Sequence, residues 1–268
     1  MSAPAMAPTG VRARVLVDVR DLVVEYASPT GRVRAVDGVS LEIGRGETLA
    51  LVGESGSGKT SLGRAILRLV EPVAGSVSFD GTDVLALAGA PLRHLRRRSQ
   101  VVFQDPKASL DPRMSVGRIV REGIDIHRIA TGADADARVE RLLGEVGLSA
   151  TDAARHPGEF SGGQRQRIAI ARALAVEPEF LVLDEAVSSL DAIVRAQILE
   201  LLAVLQAERA LTYLFIAHDL AVVERIASRV AVMQRGRIVE CAPTRQLFDS
   251  PAEEYTQSLL AAIPRVPW

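Results

Sequence analysis

The sequence predicts an α/β fold: a parallel sheet covered on both faces by helices, with a smaller antiparallel β segment ahead of it. Three observations carry this. Short continuous apolar runs occur at Thr48–Val52, Val101–Phe103, Phe180–Leu183 and Leu214–Ala217, each ending at a glycine or a polar residue. Such runs, lacking the alternation of a half-exposed strand, are those of strands buried on both faces. Helical spacing fills the chain between them, which gives a parallel sheet. Finally, Gly53-Glu54-Ser55-Gly56-Ser57-Gly58-Lys59-Thr60 follows the first run and opens onto Leu62, Ile66, Leu67 and Leu69. Strand, glycine loop and helix in that order form a cradle for a nucleotide polyphosphate.

Each element follows from its residues. Residues 1–13 are small and proline-rich, with no basic start before an apolar block, so a disordered tail without a signal peptide is expected. Val15–Tyr26 and Val39–Ile43 alternate partially and predict antiparallel strands. From about Ser115 to Val176 the pattern is helical, with turns near Gly132 and Gly158. This block falls between two core strands, which predicts a helical subdomain, about 107–176, inserted in a single domain over 14–262. A further helix begins near Asp191 and runs through Gln197–Leu205. After Arg235-Gly236 a short strand and a last helix near Glu253–Ala262 close the chain.

Composition limits the function classes. The chain has 268 residues, enough for one large domain or two small ones. A net charge of −1 gives no electrostatic reason to expect nucleic acid. Arg93 with Arg96-Arg97-Arg98 reads as a solvated helix end. No apolar run approaches the roughly 20 residues of a membrane span. The single Cys241 excludes an intrachain disulfide and an all-cysteine metal cage, and reads as a buried or incidental thiol. A cytoplasmic protein is expected.

The chemistry gathers where the strands end. In doubly wound sheets ligands bind beyond the carboxyl ends of the strands. Just past those ends stand Gly53, Gln104, Asp184 with Glu185, and His218. The glycines let backbone N–H groups turn onto phosphates, and the helix N-terminus adds about half a positive charge. Lys59 would reach the β- and γ-phosphates, and the Thr60 hydroxyl would ligate Mg²⁺. Asp184 would hold Mg²⁺ through water. Glu185 is placed to polarise a water in line with the γ-phosphate. Ser161-Gly162-Gly163-Gln164 precedes the helix through Ile168, Ala171 and Leu174, with Ser161 as its N-cap. By itself that segment fits an ordinary capped surface helix or an anion site.

The order of these motifs resembles that of ATP-binding cassette (ABC) ATPases: glycine loop, glutamine after a strand, Ser-Gly-Gly-Gln, Asp-Glu strand, Ser188-Ser189-Leu190-Asp191, then His218. The resemblance covers about residues 15–262. It implies a P-loop NTPase (RecA-like) core, an antiparallel β subdomain and an inserted α-helical signature subdomain. It implies ATP and Mg²⁺ as cofactors, with Gly56, Gly58, Lys59, Thr60 and Ser61 in the phosphate and Mg²⁺ loop. Gln104 resembles the glutamine that meets Mg²⁺ and the attacking water, Glu185 the catalytic base, and His218 the switch histidine at the γ-phosphate. Tyr26 stands where the family stacks an aromatic on adenine. Ser161 and Gly163 would bind the γ-phosphate of an opposite subunit, and Asp191 would lie in the loop crossing that interface.

Gln104-Asp105-Pro106, Ser109-Leu110-Asp111-Pro112-Arg113 and Tyr255-Thr256-Gln257-Ser258-Leu259-Leu260 look like the dipeptide, oligopeptide and nickel importer subfamily. Residues 240–268 then correspond to its C-terminal extension. The expected partners are a second cassette, identical or paralogous, a transmembrane permease and an extracytoplasmic solute-binding protein, at the cytoplasmic face of the membrane. Ala186 stands where most cassettes have proline, a hint toward nickel-type members. Soluble, exporter and catalytically dead cassettes are the competing readings. Intact Lys59, Glu185 and His218 weigh against the last.

Overall fold

Alternation within each buried strand separates two apolar cores, one on either face of the main sheet. The computed structural model describes residues 14–29 and 31–262. The expected tail over 1–13 and the last six residues of the extension lie outside them. The chain begins with β1 (Val15–Ser28) and β2 (Gly31–Gly44), then β3 (Thr48–Val52), α1 (Lys59–Ile66), β4 (Ala74–Phe79), β5 (Thr82–Asp83), α2 (Gly89–Arg98) and β6 (Ser99–Val102). Helices α3 (Pro106–Ser109), α4 (Val116–Ile126), α5 (Gly132–Glu145) and α6 (Gly162–Leu174) follow, with two short 3₁₀ turns between α5 and α6. The chain then runs through β7 (Phe180–Asp184), α7 (Ala192–Arg209), β8 (Thr212–Ile216), α8 (Leu220–Ile226), β9 (Arg229–Gln234), β10 (Arg237–Pro243), α9 (Thr244–Asp249) and α10 (Glu254–Ala261).

The main sheet has the order β10-β9-β3-β8-β7-β6. All its pairings are parallel except that of β10 with β9. The second sheet, β2-β1-β4-β5, is antiparallel. Leu49 and Leu51 of β3, Phe180 and Val182 of β7, and Leu214 and Ile216 of β8 face the core shared with the antiparallel sheet and α1. Their neighbours Ala50, Val52, Leu181, Leu183, Tyr213 and Phe215 face the core shared with α4 to α7. A period of two thus explains why these strands carry no polar face. Gly63 lets α1 lie close to the sheet, because a Cβ there would stand 3.0 Å from Ile216 Cδ1 and 3.1 Å from Val182 Cγ1.

Register brings the strand ends level. Leu51 pairs with Ile216, Asp184 with Ile216, Val102 with Leu183, and Val52 with Val232. One edge of the sheet therefore carries every loop that follows β3, β6, β7, β8 and β9.

Several expectations change. β9 is a fifth parallel strand, beside β3, that the sequence reading did not recognise. β2 starts at Gly31 rather than near Val39, because Arg32 and Arg34 pair with Glu25 across the hairpin and sustain a polar ladder. β4 went unrecognised because its glycine and serines read as turn chemistry, while only Val77 and Phe79 are buried. Cys241 is exposed on β10, where its Sγ accepts from Arg229 Nη2 at 3.4 Å. Arg98 is not simply solvated: it bonds Asp80 Oδ2 at 3.0 Å and Glu179, and its guanidinium lies 4.8 Å from the Phe79 ring centroid. Beside Arg45 and Arg98, the Asp80 carboxyl falls to about 2.

Candidate nucleotide site

The glycine loop is wedged between two strands of different sheets. Gly53 has φ 147°, and a Cβ there would lie 2.1 Å from the Met233 carbonyl of β9. Gly58 has φ 107°, and its Cβ would lie 2.0 Å from the Ala35 carbonyl of β2. Only glycine fits such backbone-on-backbone approaches. The Gly236 N–H donates to the Ser57 carbonyl at 2.9 Å, and the Asp37 N–H donates to the Gly236 carbonyl at 2.8 Å. Loop, β2 and the β9–β10 turn are thereby tied together.

Lys59 begins α1 and is 5% exposed. Its Nζ donates to the carbonyls of Gly53 and Glu54, both at 2.8 Å, and to Ser57 Oγ at 3.4 Å. Burial lowers its pKa, and Glu185 and Asp184 pull it back up. Gly58 precedes the helix in the left-handed region and offers no side-chain cap. The first N–H groups of α1 are thus left to an anionic ligand.

Asp184 closes β7, 7% exposed, and accepts from the Thr60 hydroxyl at 2.8 Å. Burial pushes its carboxyl up, against the opposing Thr60 hydrogen bond. Glu185 follows with φ 50°, a left-handed conformation that a non-glycine residue holds only at some cost. Its N–H donates to the Ile216 carbonyl at 3.0 Å, and its own carbonyl accepts from the Ser188 N–H at 3.1 Å and hydroxyl at 2.9 Å. That turn carries the side chain off the strand line to Gln104, whose Nε2 donates to Glu185 Oε2 at 2.9 Å. His218 Nδ1 lies 3.5 Å from the same oxygen.

The structure therefore gathers Lys59, Thr60, Gln104, Asp184, Glu185 and His218 at one sheet edge. It does not bring every predicted site residue there. Ser161 caps α6: its Oγ accepts from the Gln164 N–H at 3.3 Å, and Gln164 Oε1 accepts from the Ser161 N–H at 2.9 Å. A Gly163 Cβ would fall 2.4 Å from Val194 Cγ1, and one on Gly162 3.8 Å from Leu190 Cδ2. Among the described residues, the contacts of this segment run to the start of α7 rather than to the glycine loop. Asp191 caps α7, accepting from the N–H groups of Ile193 at 3.1 Å and Val194 at 3.0 Å. Tyr26 is half-exposed opposite Val33 on the β1–β2 ladder. Ser61 stands in the first turn of α1.

Sequence reasoning missed three groups that shape the site. Met233 and Ala35 wall the glycine loop, and only the positive φ of two glycines hints at them. Arg195 Nη1 bonds Asp219 Oδ2 at 2.8 Å while its Nη2 bonds the Leu190 carbonyl at 3.0 Å, joining the segments around Asp191 and His218. The Tyr255 hydroxyl accepts from the Glu54 N–H at 3.1 Å. Tyr255 belongs to a subfamily signature, but no local pattern points it at the loop.

Residues 36–188 match the ABC transporter family model. The chain is 50% identical over 251 residues to the oligopeptide transport ATP-binding protein OppF of Bacillus subtilis, covering 93% of this chain and 82% of that one. It is 48% identical over 259 residues to the glutathione import ATP-binding protein GsiA of Pectobacterium atrosepticum, covering 94% of this chain and 42% of that one. Among solved structures, a dimeric ATP-binding cassette in a post-hydrolysis state, bound to ADP and Pi, superposes with a TM-score of 0.78 at 29% identity. That match covers 86% of this chain and 99% of the other. The cbiO1 protein of Clostridium perfringens, part of an ABC transporter complex, gives a TM-score of 0.78 at 28% identity, over 94% and 97% of the two chains.

Proposed function

The chain belongs to the ABC transporter family, and from that premise we propose that it is the ATP-hydrolysing subunit of a peptide importer. One observation carries the hydrolytic part. Glu185 is held by Gln104 and His218 next to the loop lysine and the Thr60–Asp184 pair. The peptide part rests on relatives named for oligopeptide and glutathione import at about half identity. The nickel reading leaned on Ala186, which is 2% exposed and packs into the core of the helical side, so its identity answers to packing.

The chain's own groups divide the work. The N–H groups at the start of α1 and the Lys59 ammonium take the β- and γ-phosphates of ATP. Glu185 orients a water toward the γ-phosphate and takes up its proton as the new P–O bond forms and the bond to the β–γ bridging oxygen breaks, releasing ADP, a contribution of roughly 10²–10⁴-fold. His218, beside the same Glu185 oxygen as Gln104, is the group we assign to the γ-phosphate. Tyr26 offers its ring to adenine.

The donor set fits Mg²⁺. Among the described residues no three His, Cys, Asp or Glu side chains cluster for a metal. Mg²⁺ needs no such cage, since it keeps several waters and binds through one or two carboxylates plus phosphates. Thr60 Oγ1, Asp184 and the amide oxygen of Gln104 are hard oxygen donors, and a cation beside the buried Asp184 would offset the burial that raises its pKa. When bound, Mg²⁺ neutralises charge developing on the phosphates.

Ser161, Gly162, Gly163 and Gln164 serve the nucleotide of a second cassette, identical or paralogous, with Asp191 at the shared interface. The helical segment within 107–176 and the loop 104–114 meet a transmembrane permease, and a solute-binding protein delivers the peptide. No helix among the described residues is long and apolar enough to cross a membrane, which suits a subunit held peripherally at the cytoplasmic face.

Affinity purification of the tagged chain from its native membrane tests this. Recovery of a permease, a cassette and a peptide-binding protein is the expected result. Ribosomes or DNA-repair factors without a membrane protein would leave only the ATPase reading.

A further inference from the structure

The peptide unit joining Gly53 to Glu54 is held at both ends. Its carbonyl accepts from Lys59 Nζ at 2.8 Å, and its N–H donates to the Tyr255 hydroxyl at 3.1 Å, across 201 residues of sequence. Hydrogen bonds in such a chain polarise one another, so uptake of the N–H makes the carbonyl a better acceptor for the ammonium. Tyr255 is itself anchored. The Glu240 carboxylate of β10 accepts from the N–H groups of Ala252 at 2.9 Å and Glu253 at 3.2 Å, just ahead of α10. The Tyr255 ring, Leu259 and Leu260 pack on the core that underlies the main sheet.

We propose that Tyr255 is a positioning residue of the nucleotide site. Its hydroxyl sets the plane of the Gly53–Glu54 peptide, and through that peptide the seat of Lys59. Through that one hydroxyl the C-terminal helix contributes to the scaffold of the phosphate loop. The inference rests on the reading of the 53–60 loop as the nucleotide site.

Tyr255→Phe removes the hydroxyl and keeps the ring. ATP titration of the full-length variant should show a Kd raised about threefold to fivefold, the worth of one neutral, partly solvated hydrogen bond. KM for ATP should rise in step while kcat stays at the wild-type value, and the ligand-free Tm should fall less than in the helix variant that follows, since the bond to Glu54 is present without ligand as well. Leu259→Ala, which loosens the same helix without touching the loop, should lower Tm and leave Kd unchanged. A wild-type Kd in Tyr255→Phe overturns the proposal. So does an equal loss of affinity in Leu259→Ala, which would assign the effect to helix docking rather than to the hydroxyl. Failure of the wild-type chain to bind ATP would show itself before any variant is compared, and would remove the nucleotide reading of the loop along with this inference.

Discussion

Two glycine-bearing helix starts in this molecule look alike in sequence and differ in what the fold does with them. Ahead of α1, Gly58 supplies no side chain, and the helix begins without a side-chain cap. Ahead of α6, Ser161 and Gln164 complete a reciprocal capping box. The first start keeps its N–H groups open and surrounds them with a buried lysine, a buried carboxylate and the Gln104–Glu185–His218 group. The second is locally satisfied and rests on Leu190 and Val194. A helix N-terminus is an anion site only when its donors are unspent and charge is gathered beside it. The 53–60 loop meets both conditions within one chain. The 161–164 segment is a finished structural element whose ligand, in our reading, arrives with a partner.

The comparison can be broken in graded ways. The largest expected effect is that of Glu185→Gln, which should slow ATP turnover by roughly 10²–10⁴-fold with ATP affinity retained. Near-normal turnover would remove Glu185 from the role of base. Next is Lys59→Ala, expected to weaken ATP binding by roughly 10²-fold, as loss of charge-assisted hydrogen bonds to phosphate should. Isothermal titration would show it, and an unchanged affinity would mean that the loop is not the phosphate seat.

Gly163→Ala probes the other helix start. Its Cβ would meet Val194 Cγ1 at 2.4 Å, so the Val194 side chain or the two helices must shift, at about 1–3 kcal/mol of stability. Hydrolysis should fall while ATP affinity of the isolated chain does not. If affinity fell too, the two starts would not be independent.

The smallest effect is on stability alone. Asp184 has its pKa raised by burial, so its ionised form disfavours the fold. Its stabilising contribution is full below the ordinary aspartate value and is lost as pH rises toward the raised one. At pH 7, Asp184→Asn should therefore raise the ligand-free melting temperature, by about 2–4 °C per kcal/mol relieved, while keeping an acceptor for Thr60. The gain should vanish at pH values where Asp184 is protonated in both states. A variant less stable than wild type at pH 7 would mean that the carboxylate is compensated by Arg64 and Lys59.

Much of the fold was legible because parallel strands buried on both faces leave unbroken apolar runs, as at Phe180–Leu183. β9 carries a run of the same kind, Val230–Met233, which was passed over; its place beside β3 is fixed only by their pairing. The signature segment was legible as a capped helix start. Its distance from the glycine loop was not, because capping chemistry is local and carries no information about what a helix faces.

The sequence by itself determined the α/β class, the glycine loop and the polar groups that end each strand, because strand burial, turn conformation and motif spacing act over a few residues. Only the tertiary structure decided how those groups are aimed. The left-handed turn at Glu185 depends on the Ile216 carbonyl, the glycine loop on walls from Ala35 and Met233, and the Gly53–Glu54 peptide on Tyr255. Each is a contact between residues far apart in the chain, set by sheet order and register, which no local pattern encodes.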